Sequence, residues 1–262
     1  MFKITYQVRT YCEMQQMGWE EWQQAMQTAK DIVKKYRQMM ADAKLLTDEA
    51  ERKKAERDAK AVKSTLPGAC FQASDFAVSI GDDPKKTYNY GKSGRWRDMR
   101  YAYLNGLVVI DVDHCGNPRE LFARLRQEHD FKALGILLVY VSASEDGVKI
   151  VFKADPNYPH NLICQQWQMA ERLGVLQWVD DQCKDSIRLS FLTTPEDVLY
   201  CDEKELFNRY RAEIKDRDLL SKINALPKDE MVVFVLCDGR ARGALFRFQL
   251  FVIRIPFGVC RR

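Results

Sequence analysis

The spacing of apolar residues along this chain changes character twice. Phe2–Arg9 alternates apolar and polar positions, as a strand with one buried face does. From Gly18 to Lys63 the apolar residues Trp22, Met26, Ala29, Val33 and Tyr36 recur near helical spacing among Glu, Gln, Lys and Arg. The pattern predicts two helices broken near Leu46–Asp48, with Asp48 and Glu51 placed to cap the second. That second helix, Asp48–Lys63, is nearly all charge and reads as a solvated face. Leu66–Pro67–Gly68 is a turn, and Phe71, Phe76, Val78 and Ile80 predict short strands within Ala69–Ile80.

Beyond residue 106 the order of elements becomes informative. Leu107–Asp113 is an aliphatic, β-branched strand, followed by a helix over Pro118–Asp130 that carries proline in its first turn. Leu134–Val141 and Val148–Phe152 are strands joined by a turn at Ser142–Gly147, and Pro159–Leu173 is a helix closed by Gly174. Ser186–Leu192 predicts a fourth strand. The order β-α-β-β-α-β is that of the ferredoxin-like unit. The expected fold class is therefore α+β, a ferredoxin/RRM-like sheet with an N-terminal helical and small α/β extension. In that fold the sheet order is 4-1-3-2 with antiparallel neighbours, so the end of the first strand lies beside the starts of the third and fourth. The expected domains are 1–65 for the extension, 66–220 for the sheet domain and 221–262 for a C-terminal segment. Asp202–Leu220 reads as a charged helix. Met231–Arg262 holds apolar runs broken by arginines, which fits an edge strand pair, a partner-docking segment or the cut end of a longer chain.

Composition narrows this little. With 262 residues, 46% hydrophobic and 30% charged, the chain can bury one sizeable core. A net charge of +4 permits a nucleic-acid partner without arguing for one. The polar, alternating start predicts no signal peptide, and no apolar run is long enough to predict a membrane span. Eight cysteines without a C-x-x-C pair argue against a zinc ribbon or a disulfide framework, and a reducing cytoplasm is the expected setting. The His160–Cys164 spacing is better explained by a helix surface.

The chemistry starts at the end of the first strand. Strand side chains alternate between faces, so Asp111 and Asp113 point the same way. Two carboxylates so close repel one another unless a cation lies between them, and hard Mg²⁺ or Mn²⁺ suits their oxygens. The topology brings Gly147–Lys149, Asp180, Asp181, Asp185 and Arg188 to the same sheet edge. Taken singly, Ser142–Gly147 is a hairpin turn and Arg188 a structural ion pair; taken together they describe a site. The segment from Gly81 to Tyr103 interleaves Lys85, Lys86, Lys92, Arg95, Arg97 and Arg100 with Tyr88, Tyr90 and Trp96, a mixture able to grip a phosphate backbone and stack bases.

Three motifs in order then carry a family resemblance: Asp111-Val-Asp113, Ser142-Ala-Ser144-Glu-Asp-Gly147-Val-Lys149, and Asp180 through Asp185-Ser-Ile-Arg188-Leu189. The set resembles the archaeo-eukaryotic primase superfamily, in its primase-polymerase branch, and most closely the primase-like N-terminal domain of VirE-like proteins of mobile elements. Lys63-Ser-Thr-Leu66-Pro67 also resembles the element preceding that domain. The resemblance spans about Lys63 to Tyr200 and implies a DNA primase/polymerase-like nucleotidyltransferase serving a mobile element or defence system. It implies two Mg²⁺ or Mn²⁺ ions on Asp111, Asp113 and Asp180, with Asp181 an alternative third carboxylate. One ion would activate the attacking hydroxyl and the other would steady the leaving pyrophosphate. Ser142, Ser144, Gly147, Lys149 and Arg188 would hold a nucleoside triphosphate. Lys92, Arg95, Arg97 and Arg100 are the expected contacts to single-stranded or primed DNA, or to RNA. In that family a helicase-like or other domain commonly follows, and a helicase or other replication protein is an expected partner.

The chain departs from the family pattern in two places. Lysine stands at 149 where many relatives carry histidine, and Glu145 and Asp146 bring negative charge to a triphosphate pocket. The alternative function is accordingly a catalytically degenerate module that binds nucleic acid or nucleotide. An RNA-recognition domain would show aromatics on its central strands, where this chain has Asp111, Asp113 and Lys149. A rolling-circle endonuclease needs a histidine pair, and His114, His129 and His160 form no His-x-His.

Overall fold

The computed structural model describes residues 4–8, 14–76, 97, 99, 102–158, 161–180, 183 and 185–207, together with the backbone of 230–234 and 252–256. The chain divides into two compact units, Met1–Arg211 and Ala212–Arg262. The first is a mixed α/β unit whose sheets are antiparallel.

The N-terminal pattern folds as its spacing predicts. Strand β1 (Ile4–Gln7) pairs with β2 (Gln15–Met17), and helix α1 (Trp19–Lys44) buries Trp22, Ala25, Met26, Ala29, Val33 and Tyr36. The Glu21 carboxylate accepts the Gly18 N–H at 2.9 Å, which covers a donor that the first turn leaves open. Helix α2 (Glu49–Lys63) begins at Asp48, whose side chain accepts the Glu51 N–H at 2.8 Å. Its buried residue is Ala59, as a mostly solvated helix requires. Two short strands follow, β3 (Gly68–Cys70) and β4 (Ala73–Phe76), the latter paired with β5 (Ala102–Leu104).

The central sheet is built from β6 (Leu107–Val112), β7 (Ile136–Val141), β8 (Val148–Lys153) and β10 (Val198–Cys201). Helices α3 (Pro118–Glu128) and α4 (Leu162–Arg172) connect its strands, and the two-residue strand β9 (Ser190–Phe191) precedes β10. A short helix, α5 (Glu203–Phe207), closes the described part of the unit. The sheet order is β10-β7-β8-β6, and β6 pairs with β8 in a register that sets Asp111 opposite Lys149.

Both faces of β6 are buried, which is why its sequence runs apolar without alternation. Val108, Ile110 and Val112 pack with Leu121 and Leu125 of α3 and Met169 and Ala170 of α4. Leu107 and Val109 pack with Trp22, Met26 and Val33 of α1 and with Phe71. Helix α1 is thus part of the main core, where the sequence placed it in a separate extension.

The expected order 4-1-3-2 is not the one observed. The first, third and second predicted strands do lie in sequence across the sheet, as β6, β8 and β7. The predicted fourth strand, Ser186–Leu192, contributes only Ser190–Phe191, which joins β3 in a second sheet of order β2-β1-β3-β9. The reason is local packing. A Cβ on Gly68 would lie 2.4 Å from Leu189 Cγ, so glycine at 68 lets the backbone close onto Leu189. Ile187 and Leu189 then pack against the small cluster of Met14, Cys70, Ala73 and Phe76.

The outer edge of β6 is satisfied by other means. Asp113 N–H donates to Trp178 O at 2.8 Å and Asp180 N–H to Asp111 O at 2.9 Å. Further along, Gln72 Oε1 accepts the Val109 N–H at 3.1 Å, and Gln166 Nε2 donates to the carbonyls of Val109 and Cys183, both at 2.8 Å. Two buried side-chain amides stand where a fourth strand would have supplied ladder bonds.

In the second unit, β11 (Glu230–Phe234) and β12 (Val252–Pro256) form an antiparallel pair, in keeping with the strand-pair reading of that region. Among the described residues no helix is long and apolar enough to cross a membrane.

Candidate metal and nucleotide site

The site is assembled where β6 ends. Asp111 lies on the α1 side of the sheet and forms an ion pair through Oδ2 with the Lys149 ammonium. Their side chains are only 13% and 10% exposed, so this is a buried pair that has lost most of its hydration. Asp111 Oδ1 is enclosed, and among the described residues it has no hydrogen-bond partner. An enclosed carboxylate oxygen without a donor is costly unless a cation reaches it.

The extended segment after the 3-10 turn Leu176–Trp178 carries Asp180 alongside Asp111 through the backbone bond just described. Three residues on, Cys183 Sγ lies 3.3 Å from Asp111 Oδ2 and 3.3 Å from Asp180 Oδ2. One ligand atom each from Asp111, Asp180 and Cys183 falls within 4.8 Å of the others. Burial, reinforced by the Asp111 charge, pushes the Cys183 thiol well above its ordinary pKa, so it donates to the carboxylates. Arg188 Nη2 sits 3.4 Å from Asp180 Oδ2. Asp113 lies outside the three-residue group yet within its field: burial first, then Asp111, raises its carboxyl pKa, with Asp146 and Asp180 adding and Lys149 opposing. Among the described residues Asp111, Asp113, Asp146 and Asp180 share one field, and a divalent ion would relieve their mutual repulsion. The Asp111 and Asp180 carboxylates fit such an ion, and their oxygens suit Mg²⁺ or Mn²⁺; Cys183 would join them as a ligand only after giving up its proton.

The turn between β7 and β8 forms the adjoining wall. It closes through Ser142 N–H to Gly147 O at 2.8 Å, and a Cβ on Gly147 would lie 2.1 Å from Val112 O. Only glycine allows the turn to approach the end of β6 so closely. Ser144 Oγ donates to Asp146 Oδ1 at 2.5 Å and lies 3.1 Å from Ser142 Oγ. His114 Nδ1 is 3.2 Å from Asp146 Oδ2, on a side chain 86% exposed, which is a solvated turn histidine. Glu145 adopts a left-handed φ of 60° and turns away to Arg37 of α1, 3.1 Å from its Nη1. The two acids that sat awkwardly in the sequence thus have separate partners.

Helix α1 grips this turn. Arg37 Nε donates to Ala143 O at 3.1 Å, and its Nη2 donates to Ser142 O at 3.3 Å and to buried Asp197 at 2.7 Å. Asp197 also accepts from Thr193 at 2.8 Å, Thr194 at 3.0 Å and Arg119 at 2.9 Å. Next to Arg37, the Tyr36 ring carries the Lys63 ammonium 5.3 Å from its centroid.

Of the expected residues, Asp111, Asp180, Lys149 and Arg188 meet directly, Asp113 stands beside them, and Ser142, Ser144 and Gly147 build the neighbouring turn. Cys183 was missed, although the Asp-x-x-Cys spacing from Asp180 was visible. Arg37 had no local signal at all. Of the basic loop, Lys92, Arg95 and Arg100 lie outside the described residues, as does Asp181. Arg97 is half-buried, and its charge lowers the pKa of buried Cys70, which desolvation nevertheless raises to about 12.

Residues 89–200 match the model of the family described as BT4734-like, N-terminal domain. The matched span holds every residue from Asp111 to Arg188 named above and leaves out α1, α2 and β1 to β4. No curated protein and no solved structure matches the chain.

Proposed function

We propose that this chain is a metal-dependent nucleotidyltransferase of the primase-polymerase type, which joins a nucleoside triphosphate to a nucleic-acid 3′-hydroxyl. The observation that carries this reading is the convergence of Asp111, Asp180 and Cys183, with Lys149 and Arg188 against them. The family match over the same residues supports it, since that domain occurs in primase-like proteins of mobile elements. Replication or repair of such an element, or a defence system, is the setting this implies.

Asp111 and Asp180, with Asp113 and Cys183 adjoining, would hold Mg²⁺ or Mn²⁺, which when bound neutralises phosphate charge and acidifies the attacking hydroxyl. The 3′-oxygen bonds to the α-phosphorus as its bond to the β-phosphate oxygen breaks, and the hydroxyl proton passes to solvent. Lys149, released from Asp111, and Arg188 balance the charge on the departing pyrophosphate. Ser142 and Ser144 on a turn clamped by Arg37 orient the phosphates without reorganising.

A second reading, a non-catalytic nucleotide- or nucleic-acid-binding module, draws on one observation: Lys149 already neutralises Asp111, and Asp146 already engages both serine hydroxyls. The test is incorporation of a radiolabelled triphosphate with Mg²⁺ or Mn²⁺, with primed, unprimed and no template. Incorporation that requires template and is abolished by Asp111→Asn supports the enzyme. Triphosphate binding with no incorporation under any metal or template leaves the binding module.

A further inference from the structure

We propose that Lys63, at the C-terminal end of α2, contacts the phosphates of the bound nucleotide and makes the helical pair α1–α2 a working wall of the site. The inference rests on the nucleotide-binding reading above. Its starting point is the accounting of cations around the site. Lys149 is engaged by Asp111, Arg188 by Asp180, and Arg37 by Asp197 and Glu145. Among the described residues no carboxylate lies within 4 Å of the Lys63 ammonium, which rests on the Tyr36 ring instead. An aromatic face holds an ammonium in place without neutralising it, so the charge remains available to an anion.

The neighbourhood defines which anion. Lys63 is partly buried, and that burial lowers its pKa; Lys149 lowers it further, while Asp146, Asp113 and Asp111 oppose. Those residues come from the end of β6, the turn and the start of β8, so the ammonium on Tyr36 lies within electrostatic reach of the site. Lys63 and Lys149 repel one another, and the nearby aspartates offset only part of the effect of burial and of Lys149 on Lys63, so a further anion at this place is favoured. A polyphosphate carrying a divalent cation supplies that negative charge while its metal meets Asp111 and Asp180. The presentation is rigid, because Arg37, adjacent to Tyr36, is bonded to the carbonyls of Ser142 and Ala143. A lysine that merely complements the α2 dipole would also sit in a last turn. It would not need Tyr36 beneath it, nor a place in the field of three aspartates from other elements.

The experiment measures equilibrium binding of a labelled nucleoside triphosphate, and of the corresponding nucleoside, to the full chain in Mg²⁺. The variants are Lys63→Ala, Lys63→Met and Lys63→Arg, and Mn²⁺ binding without nucleotide is measured by calorimetry. Lys63→Ala and Lys63→Met should each weaken triphosphate binding about tenfold, as the loss of a charge-assisted contact does. Nucleoside binding should stay unchanged, and Lys63→Arg should retain most of the affinity. Mn²⁺ affinity should hold or tighten, because a positive charge near the carboxylates has gone. Equal weakening of triphosphate and nucleoside would mean a structural role and overturn the proposal. So would triphosphate binding by Lys63→Met that equals the parent's, which leaves the nucleotidyltransferase reading standing. A parent chain that binds no triphosphate removes both.

Discussion

The two faces of the central sheet teach different lessons. On the face turned to α3 and α4, positions 108, 110 and 112 of β6 are all valine or isoleucine, and the core continues to the strand's end. On the face turned to α1, Leu107 and Val109 are core, but the next position is Asp111. One strand therefore carries an uninterrupted packing surface on one side and a buried charge on the other. The charge is tolerated because Lys149 stands opposite it in the β-ladder and Tyr140 flanks Lys149 on the far side. A continuous apolar face holds the strand in position, which allows its other face to carry a site that costs stability.

The largest effect should come from breaking that balance. Removing one partner of a buried ion pair leaves the other uncompensated, so Lys149→Ala should cost about 3–5 kcal/mol in urea denaturation. The double replacement Asp111→Leu with Lys149→Met should recover most of that loss, since an apolar pair of similar volume removes the desolvation cost. A single variant as stable as the parent would mean the pair is hydrated and the two faces do not differ as described.

Next, Ile110→Ala on the opposite face should cost about 2–5 kcal/mol through the cavity it opens. It should leave Mn²⁺ affinity per folded molecule unchanged in calorimetry. A loss of metal affinity comparable with that of Asp111→Asn would show that the packed face and the charged face are not separable.

Gly147→Ala sharpens the comparison at the boundary between them. The added Cβ meets the Val112 carbonyl at 2.1 Å, so the turn must shift away from the strand end. About 1–3 kcal/mol should be lost, as for overpacking elsewhere. Triphosphate affinity should fall with it, because Ser142, Ser144 and Lys149 move together. A variant with parental stability and affinity would show that the close approach is not required.

The smallest effect is expected at an exposed pair on the surface. The hydrogen bond from Lys30 holds the Glu196 carboxyl at about 2. A depressed carboxyl contributes stability above its unfolded pKa of about 4.3 and loses it as pH falls through the folded value. Here, however, the side chains are 43% and 59% exposed, and solvent screens the pair. Lys30→Ala should therefore match the parent's denaturation midpoint at pH 7, and the two acid-unfolding curves should overlay. Separation of those curves between pH 5 and pH 2 would show an unexpectedly strong surface pair.

Much of the candidate site is legible as local pattern in the sequence. The carboxylates at the end of a β-branched strand, the Ser-x-Ser-x-x-Gly-x-Lys turn and the Asp180 to Arg188 segment are local patterns, and local patterns encode strand ends, turns and caps. Asp48 caps α2 and Gly147 takes the close approach because each requirement involves a few neighbouring residues. The place of Asp180 was expected from a fourth strand beside β6 that does not form there; Asp180 reaches Asp111 instead on the extended segment after Leu176–Trp178.

What the tertiary structure alone decided is which partner each pattern meets. Alternation marks Ser186–Leu192 as extended but does not say which sheet edge accepts it, and the fit of Gly68 against Leu189 drew it to the second sheet. The vacated edge of β6 then fell to Gln72 and Gln166, whose amides read in sequence as ordinary polar positions. Helix α1, read as an extension, became part of the main core and brought Arg37 to the turn. Cys183 and Lys63 gained their places by long-range packing in the same way. Hydrophobic periodicity records which side of an element avoids water; it carries no record of which of several apolar or polar surfaces will cover that side.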